Sequence, residues 1–245
     1  MKISIIIPAR YDSSRYKGKP LVKILGREMI LRVADICAQV VDHKNLFIAT
    51  DSNKISKVVQ KAGYNVIMTS PSCLTGTDRV AEAAKKINSK YFINVQGDEP
   101  TINPYDIKKI IRAKIKYPDH VICGYNKINK SKDVKNPNLP KVLINKKKEL
   151  VYISRSVIPG SKSKNLKIEY FKQVCIYGFN KKQLFKFFSK KKGKIEEIED
   201  IELLRFFDLD TKVKMIKLTS NSIAVDEKKD VLKVQKLLIN KFGFK

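Results

Sequence analysis

A loop rich in cations follows the first apolar stretch of the chain, residues 3–7. That stretch consists mainly of isoleucine, which is typical of a strand buried on both faces of a parallel sheet. Open α/β sheets bind their ligands at the carboxyl ends of such strands, so we expect this loop to bind a polyanion. The alternative is a solvated basic turn. The cations of the loop are Arg10, Arg15, Lys17 and Lys19.

The loop matches neither of the common glycine-rich phosphate motifs. It has no GxGxxG pattern, and Gly18-Lys19 is followed by Pro20, where a P-loop has Ser or Thr. Phosphate would therefore have to be bound by side chains and backbone N–H groups. The four cations are enough to offset much of the charge of a triphosphate.

Two carboxylates in other parts of the chain could hold a metal ion. Asp98 lies in the QGDEP turn (96–100) after a predicted strand, and Asp226 follows the apolar residues 223–225. Mg²⁺ takes oxygen ligands and needs few protein carboxylates when a nucleotide supplies the others. Cations on one loop and carboxylates on another are what metal-assisted phosphoryl or nucleotidyl transfer requires. The alternatives are an acidic turn at Asp98 and a helix cap at Asp226.

Arginine is a further guide to the site, because only 8 of the 51 basic residues are arginines. Where lysine supplies ordinary charge, an arginine suggests planar, bidentate contacts that an ammonium cannot make. Residues 75–79 begin a predicted helix, with Thr77 as its expected cap, whose N-terminal N–H groups could meet a base or a phosphate. The alternative is an ordinary capped helix with a surface arginine. The arginines in the stretches of interest are Arg10, Arg15, Arg79, Arg155 and Arg205.

The elements that position these residues alternate between strand and helix in the first half of the chain. Short connections and strict alternation predict an α/β fold with a doubly wound, mostly parallel sheet. We predict strands at 3–7, 45–50, 65–68, 91–95 and 121–125, and helices at 29–40, 55–62, 78–87 and 104–115.

The second half lacks this alternation of strands and helices, and its pattern predicts an antiparallel insertion in the same domain. A hairpin is expected around a lysine-rich turn, followed by a strand, two helices, another strand and a last helix. These elements are placed at 141–145 and 149–154, 174–179, 181–189 and 195–207, 213–218, and 228–238.

Composition narrows the class of protein. A chain of 245 residues is long enough to bury a sizeable core. Without a run of 18 apolar residues or a leader, we expect no membrane span and no targeting segment. The four cysteines are far apart in sequence and form no CxxC pair. That spacing argues against zinc and disulfides and favours a reducing cytoplasm.

The formal charge of +27 raises a different class, a nucleic-acid-binding protein. Many of the lysines fall where turns or solvated helix faces are expected, as at 146–148 and 190–192. The chain also has no basic motif interleaved with aromatic residues. We therefore favour a compositional bias toward lysine, and we expect no nucleic-acid partner.

Together with the opening loop, further segments resemble the cytidylyltransferases that activate 3-deoxy-D-manno-octulosonate (KDO), the CMP-KDO synthetases. The resemblance covers nearly the whole chain in the same order, and the combination is highly specific although each piece alone is weak. The segments are PARYDSSRYKGKPL (8–21), ATD (49–51), MTSPSCLTGTDRVAE (68–82), NVQGDEP (94–100), NPN with PKV (136–142), YISRSVIP (152–159), IYGF (176–179), IEDIELLR (198–205) and AVD (224–226).

The resemblance implies an α/β fold of the nucleotide-diphosphosugar-transferase type, a homodimer, and the reaction CTP + KDO → CMP-KDO + pyrophosphate with Mg²⁺ as cofactor. It places this activity in lipopolysaccharide or capsule synthesis. It also divides the single domain 1–245 into a mainly nucleotide-binding part (1–128), a mainly sugar-binding and dimerising part (129–227) and a C-terminal helix (228–245).

The same resemblance implies a role for individual residues. CTP would be bound by Arg10, Ser13 and Lys19, with Arg79 bordering the cytosine pocket. Mg²⁺ would be bound by Asp98 and Asp226, which with Arg15 and Lys19 form the catalytic set. The sugar acid would be bound by Arg15, Gln96, Arg155, Gln173, Tyr177 and Glu202.

The departures from the family pattern lie on the sugar side. Lys172-Gln173 stands where the family commonly has Arg-His, Leu203 replaces a common glutamine, and Gly160 stands where a bulkier residue often occurs. An amide can bind a hydroxyl but does not titrate near neutrality, and Leu203 removes a polar contact. A modified KDO or another ulosonic acid therefore remains an alternative acceptor.

Overall fold

The computed structural model describes residues 2–12, 16–163, 165–219 and 222–242. Ser13 and Arg15, two of the predicted site residues, lie outside the described residues. The strands are β1 (Ile3–Ala9), β2 (Lys23–Ile24), β3 (Arg27–Glu28), β4 (Leu46–Thr50), β5 (Asn65–Met68), β6 (Tyr91–Val95), β7 (Val121–Lys127), β8 (Lys141–Ile144), β9 (Leu150–Ser154), β10 (Phe171–Asn180) and β11 (Val213–Lys217).

Helices alternate with these strands along the first half of the chain and cluster after β10 in the second half. They are α1 (Met29–Ala38), α2 (Asn53–Lys61), α3 (Gly76–Lys85), α4 (Pro104–Lys116), α5 (Ser131–Val134), α6 (Lys181–Phe188), α7 (Lys194–Glu199), α8 (Arg205–Asp208) and α9 (Lys228–Phe242). Short 3-10 turns cover Lys19–Leu21, His43–Asn45 and Glu202–Leu204.

Within the described chain, one large sheet organises the fold. Its strand order is β11-β7-β10-β6-β1-β4-β5, with the β8–β9 hairpin attached to the end of β10. All strands of the main path run parallel except β10, which is antiparallel to both of its neighbours. The predicted α/β fold with a mostly parallel sheet and an antiparallel insertion is therefore confirmed.

The first strand is central because its side chains suit burial on both faces. Ile5, Ile6 and Ile7 have no exposed surface, and they divide between two apolar clusters on opposite faces of the sheet. Ser4 is also fully buried, and its hydroxyl forms a hydrogen bond with the Ser89 hydroxyl at 2.8 Å. A buried hydroxyl with a partner costs little, which is why one serine does not interrupt the strand.

The helix predicted for residues 195–207 is wrong. The chain instead forms α7, a left-handed residue at Asp200 with φ 48°, a 3-10 turn and α8. Apolar periodicity continued across the break, but Asp200 ends the first helix in a conformation that a helix interior cannot contain. This break turns Glu202 toward α3.

The structure also corrects the predicted start of α3. Its cap is Thr75 rather than Thr77: the Thr75 hydroxyl accepts from the N–H of Asp78, and the Asp78 carboxylate accepts from the N–H of Thr75 in a capping box. No helix in the part of the chain that the structure describes is long and apolar enough to cross a membrane.

Candidate active site

A cleft of about 400 Å³ opens at the carboxyl ends of β1 and β6, with β10 forming its far side. The main sheet places its ligand-binding edge there, as open parallel sheets do. The cleft brings together all of the predicted site residues that the structure describes. These are Arg10, Lys19, Arg79, Gln96, Asp98, Arg155, Gln173, Tyr177, Glu202 and Asp226.

Lys19 lies between the two predicted metal ligands. Its Nζ donates to Asp98 Oδ2 at 2.7 Å and is 4.0 Å from Asp226 Oδ1. The lysine side chain is 13% exposed and the two carboxylates 29% and 28%, so the charges meet at the cleft surface and are only partly screened by water.

The backbone of the opening loop holds Lys19 in this position. Gly18 has φ 70°, a left-handed conformation that favours glycine, and its N–H donates to Tyr11 O at 2.8 Å. Pro20, buried at the first turn, pre-sets the backbone for the 3-10 turn that carries the lysine.

A second close approach brings the two aspartates together. The N–H of Val225 donates to Asp98 O at 2.9 Å, so the segment ending in Asp226 lies against the turn after β6. Gly97 precedes Asp98, and a Cβ on it would be 2.9 Å from Pro8 O. Only glycine allows the turn after β6 to pack this closely on the end of β1.

The donor set at this position suits a divalent cation with hard oxygen ligands. Asp98 and Asp226 converge on one cationic group, Lys19, and so define a place where positive charge is stabilised. Two carboxylates are few for a cation site made by protein alone, but they suit Mg²⁺ when nucleotide phosphates supply the other oxygens.

Glu99 is a third acid beside this pair, and it is buried. It is 7% exposed, and its Oε2 has no hydrogen-bond partner among the described residues. Burial raises the pKa of Glu99 to about 7, and the charges of Asp98 and Asp226 add to the shift, while Ser222 and Lys172 oppose it. The sequence signal was its place in the QGDEP turn, yet residue type alone did not distinguish it from a surface acid.

Arg79 borders the cleft, but its guanidinium is bound within the protein. Nη2 donates to Asp51 Oδ2 at 2.8 Å and Nη1 donates to the Thr69 hydroxyl at 2.6 Å. The side chain is almost fully buried, so these contacts fix the first turn of α3 against the ends of β4 and β5. Arg79 thus shapes the cleft wall.

Arg205 joins α3 to the helices after β10. Its guanidinium makes a bidentate contact with Glu196, with both N–O distances 2.7 Å, and its Nη1 donates to Asp78 Oδ1 at 2.9 Å. The arginine is 1% exposed, and it also lies over the Phe187 ring. Since Asp78 is part of the α3 capping box, this network anchors the helix start that faces the cleft.

Glu202 and Gln96 contact the same helix start. The N–H of Thr77 donates to Glu202 Oε2 at 3.0 Å. Burial raises the pKa of Glu202, although the hydrogen bonds from Thr77 oppose the shift. The Gln96 amide packs against Gly76, where an added Cβ would be 3.2 Å from Nε2.

Arg155 lines the cleft with a guanidinium that is bound to backbone oxygens. Nη1 donates to Pro137 O at 2.9 Å, Nη2 donates to Asp200 O at 2.8 Å, and Nε donates to Glu199 O at 2.5 Å. These contacts hold the end of β9 against the end of α7. Arg155, which is predicted to bind the sugar, therefore also joins these two segments of the chain.

Gln173 and Tyr177 form a pair on the wall made by β10. Gln173 Nε2 donates to the Tyr177 hydroxyl at 3.0 Å, and both residues line the cleft. The pairing of β10 with β7 shifts register between Val174 and Tyr177. Burial raises the pKa of Tyr177 well above its ordinary value. Leu203, the other departure on this side, is 1% exposed and belongs to the apolar core.

Comparison with known proteins shows which family the chain belongs to. Residues 4–215 match the family described as cytidylyltransferase. The chain belongs to the cytidylyltransferase family. A relative from Desulfosudis oleivorans named 3-deoxy-manno-octulosonate cytidylyltransferase is 34% identical, over 97% of this chain and 98% of its own length.

Two further comparisons bear on the substrates of this cytidylyltransferase. A relative from Shewanella sp. named 8-amino-3,8-dideoxy-manno-octulosonate cytidylyltransferase is 35% identical, over 97% of this chain and 99% of its own length. A solved structure of CMP:2-keto-3-deoxy-manno-octonic acid synthetase complexed with CTP superposes with a TM-score of 0.92 at 31% identity, covering 99% of this chain and 100% of that one.

Proposed function

We propose that this cytidylyltransferase transfers CMP from CTP to the anomeric hydroxyl of KDO and releases pyrophosphate. The observation that carries the proposal is the position of Lys19 between Asp98 and Asp226, at the edge of the sheet where the cleft opens. A cation facing paired carboxylates suits the transfer of a nucleotidyl group, in which charge develops on the departing pyrophosphate.

The nucleotide would lie along the cationic loop. Arg10 is exposed at the end of β1, and Lys19 follows in the 3-10 turn, so both can reach phosphate oxygens from the same side. The start of α3 would border the base, with Gly76 leaving room beside Gln96. The likeness to a structure solved with CTP supports this placement.

Asp98 and Asp226 would hold Mg²⁺, and Lys19 would then be available to the phosphates. When bound, the ion would neutralise charge on the phosphate oxygens that become more negative as pyrophosphate leaves. The protein's own part is to align the acceptor hydroxyl with the α-phosphorus for in-line attack and to exclude water from that line. Ser13 and Arg15 are proposed to complete the phosphate and sugar-acid contacts.

The acceptor is proposed from the names of the relatives and from the wall at β10. Relatives of similar identity are named for KDO and for its 8-amino derivative. Gln173 and Tyr177 offer an amide and a phenol, which bind hydroxyl groups, and Glu202 offers a carboxylate. We propose KDO as the principal acceptor, and the 8-amino sugar or another ulosonic acid as the second candidate, which Gln173 at the cleft wall favours.

We further propose that the enzyme acts as a homodimer in the cytoplasm, in the synthesis of lipopolysaccharide or capsule precursors. The dispersed cysteines support a reducing compartment. Size-exclusion chromatography with light scattering tests the assembly, and a monomer that retains full turnover would refute the dimer.

Pyrophosphate release from a panel of nucleotides crossed with sugar acids tests the proposed activity. We expect release with CTP and KDO in the presence of Mg²⁺, and kcat/KM should fall for other nucleotides. A higher kcat/KM for the 8-amino sugar would favour the second candidate. No release from any pair at adequate enzyme would overturn the proposal.

A further inference from the structure

The cationic side chains that line the cleft differ in whether they already have acceptors within the protein. Arg79 is bound to Asp51 and Thr69, and Arg155 donates to three backbone oxygens. Lys19 is paired with Asp98. Each of these side chains therefore already donates to acceptors within the protein, and taking up a substrate anion would require an exchange of partners.

Lys172 on β10 is different. It lines the cleft and is half-buried, yet across the described ranges its ammonium makes no hydrogen bond and no ion pair. Its backbone is fixed between Asn126 of β7 and Lys141 of β8, at the point where the hairpin joins the main sheet. A half-buried ammonium on a rigid strand loses hydration without gaining a partner, an arrangement typical of a group that binds a ligand anion.

The position of Lys172 also relates it to the two substrates. The exposed Arg10 serves the opening loop on one side of the cleft, and Lys172 lies across from it on β10, next to Gln173. Its charge acts on the buried carboxyl of Glu99, which follows Asp98 directly in the chain. Lys172 thus lines the same cleft as the proposed metal ligands and lies next to the wall proposed for the sugar.

The structure of the acceptor determines where a cation that binds its carboxylate must lie. In a 2-keto sugar acid the carboxylate carbon is bonded to the anomeric carbon that bears the attacking hydroxyl. The carboxylate must therefore lie within a few bonds of the α-phosphorus, and a cation that recognises it must border the reaction centre. Among the described cleft cations, Lys172 combines that location with an uncommitted charge.

We propose that Lys172 binds the carboxylate of the acceptor and so makes the enzyme select sugar acids over neutral sugars. The proposal rests on the proposed function and goes beyond it by naming the side chain that recognises the carboxylate of the acceptor.

Steady-state kinetics of Lys172→Met tests the proposal. Losing one charge-assisted contact should raise KM for KDO by roughly 10- to 100-fold, while KM for CTP stays within about twofold. Lys172→Arg keeps the charge and should retain most of the affinity for KDO. Lys127→Met is the matched control, since Lys127 is exposed on β7 and paired with Glu169 outside the cleft.

An acceptor that lacks the charge gives the decisive comparison. Wild-type enzyme should use the C1 carboxamide of KDO with kcat/KM lower by roughly the same factor as Lys172→Met loses with KDO, and the variant should no longer distinguish acid from amide. An unchanged KM for KDO in a folded Lys172→Met, or undiminished discrimination by it, would overturn this proposal. Absence of turnover by the wild type would instead overturn the proposed function.

Discussion

Lys19 and Asp98 form an ion pair between the cationic loop and the turn after β6, with Nζ 2.7 Å from Oδ2. The two residues are 79 positions apart in sequence, and Asp226 approaches the same ammonium at 4.0 Å. The contact links the side of the cleft proposed for phosphates to the side proposed for the metal. We expect this convergence to matter more for the activity of the enzyme than for its stability.

Asp98→Asn should abolish most of the activity and leave the fold intact. The amide removes a charge that the proposed metal site needs, while Lys19 keeps Asp226 as a second carboxylate at 4.0 Å, which limits the loss of stability. We expect kcat/KM to fall by at least about 100-fold with a Tm change of only a few degrees. Asp12→Asn is the control, because Asp12 pairs with Lys17 in exposed positions. Retained activity in Asp98→Asn would refute the metal role.

Arg205→Lys should destabilise the protein strongly. Arg205 is buried and binds Glu196 with two nitrogens and Asp78 with a third, a geometry that an ammonium cannot reproduce. Leaving buried carboxylates partly unpaired should lower the free energy of unfolding by about 3 kcal/mol or more, measured by urea denaturation. Arg112→Lys on the exposed face of α4 should change it by less than about 0.5 kcal/mol. Equal effects of the two substitutions would contradict this account.

Gly97→Ala should impair both stability and turnover. The added Cβ would be 2.9 Å from Pro8 O and 3.0 Å from Ile30 Cδ1, so the turn carrying Asp98 has to move. Overpacking of this kind costs about 1–3 kcal/mol, and the displaced carboxylate should lower kcat. A Cβ at Gly160 meets nothing within 4 Å, so Gly160→Ala should be nearly neutral in both measurements. A neutral Gly97→Ala would show that this close approach is not required.

Glu99 makes the stability of the metal-free protein depend on pH. Its pKa is raised from 4.5 to about 7 in the folded state, so the contribution of Glu99 is complete below the unfolded value and is lost as pH rises through 7. Glu99→Gln removes this loss. The free energy of unfolding of the variant relative to wild type should therefore increase by on the order of 2 kcal/mol from pH 5 to pH 8 in EDTA.

Glu169→Gln is the control for this pH dependence. Lys127 lowers the pKa of the exposed Glu169, so removing Glu169 should give a small change of opposite sign. A difference between Glu99→Gln and wild type that is constant with pH would mean that the Glu99 carboxyl is not destabilised by burial.

The sequence predicted the parts of this structure that depend on local pattern. The isoleucines of β1 are buried on both faces, as their unbroken run indicated, and the basic loop follows at the carboxyl end of that strand. The expectation that the arginines make planar, bidentate contacts is also confirmed for Arg205, whose contact with Glu196 is bidentate.

What the sequence could not predict are the partners that distant segments provide. Arg79 and Arg155 line the cleft as predicted site residues, and the fold also gives them acceptors within the protein, Asp51 and backbone oxygens. The residue type indicates that a guanidinium favours planar acceptors, but the identity of those acceptors depends on the tertiary fold. The break at Asp200 was missed for a related reason, since apolar periodicity continues through a residue whose backbone is left-handed.

Pyrophosphate release by the purified enzyme should be followed with CTP, KDO and Mg²⁺ together and with each of the three omitted in turn. We expect release when all three are present and none when KDO or Mg²⁺ is absent, with formation of CMP-KDO in equal amount. Release from CTP without an acceptor, or release that persists in EDTA, would contradict this expectation.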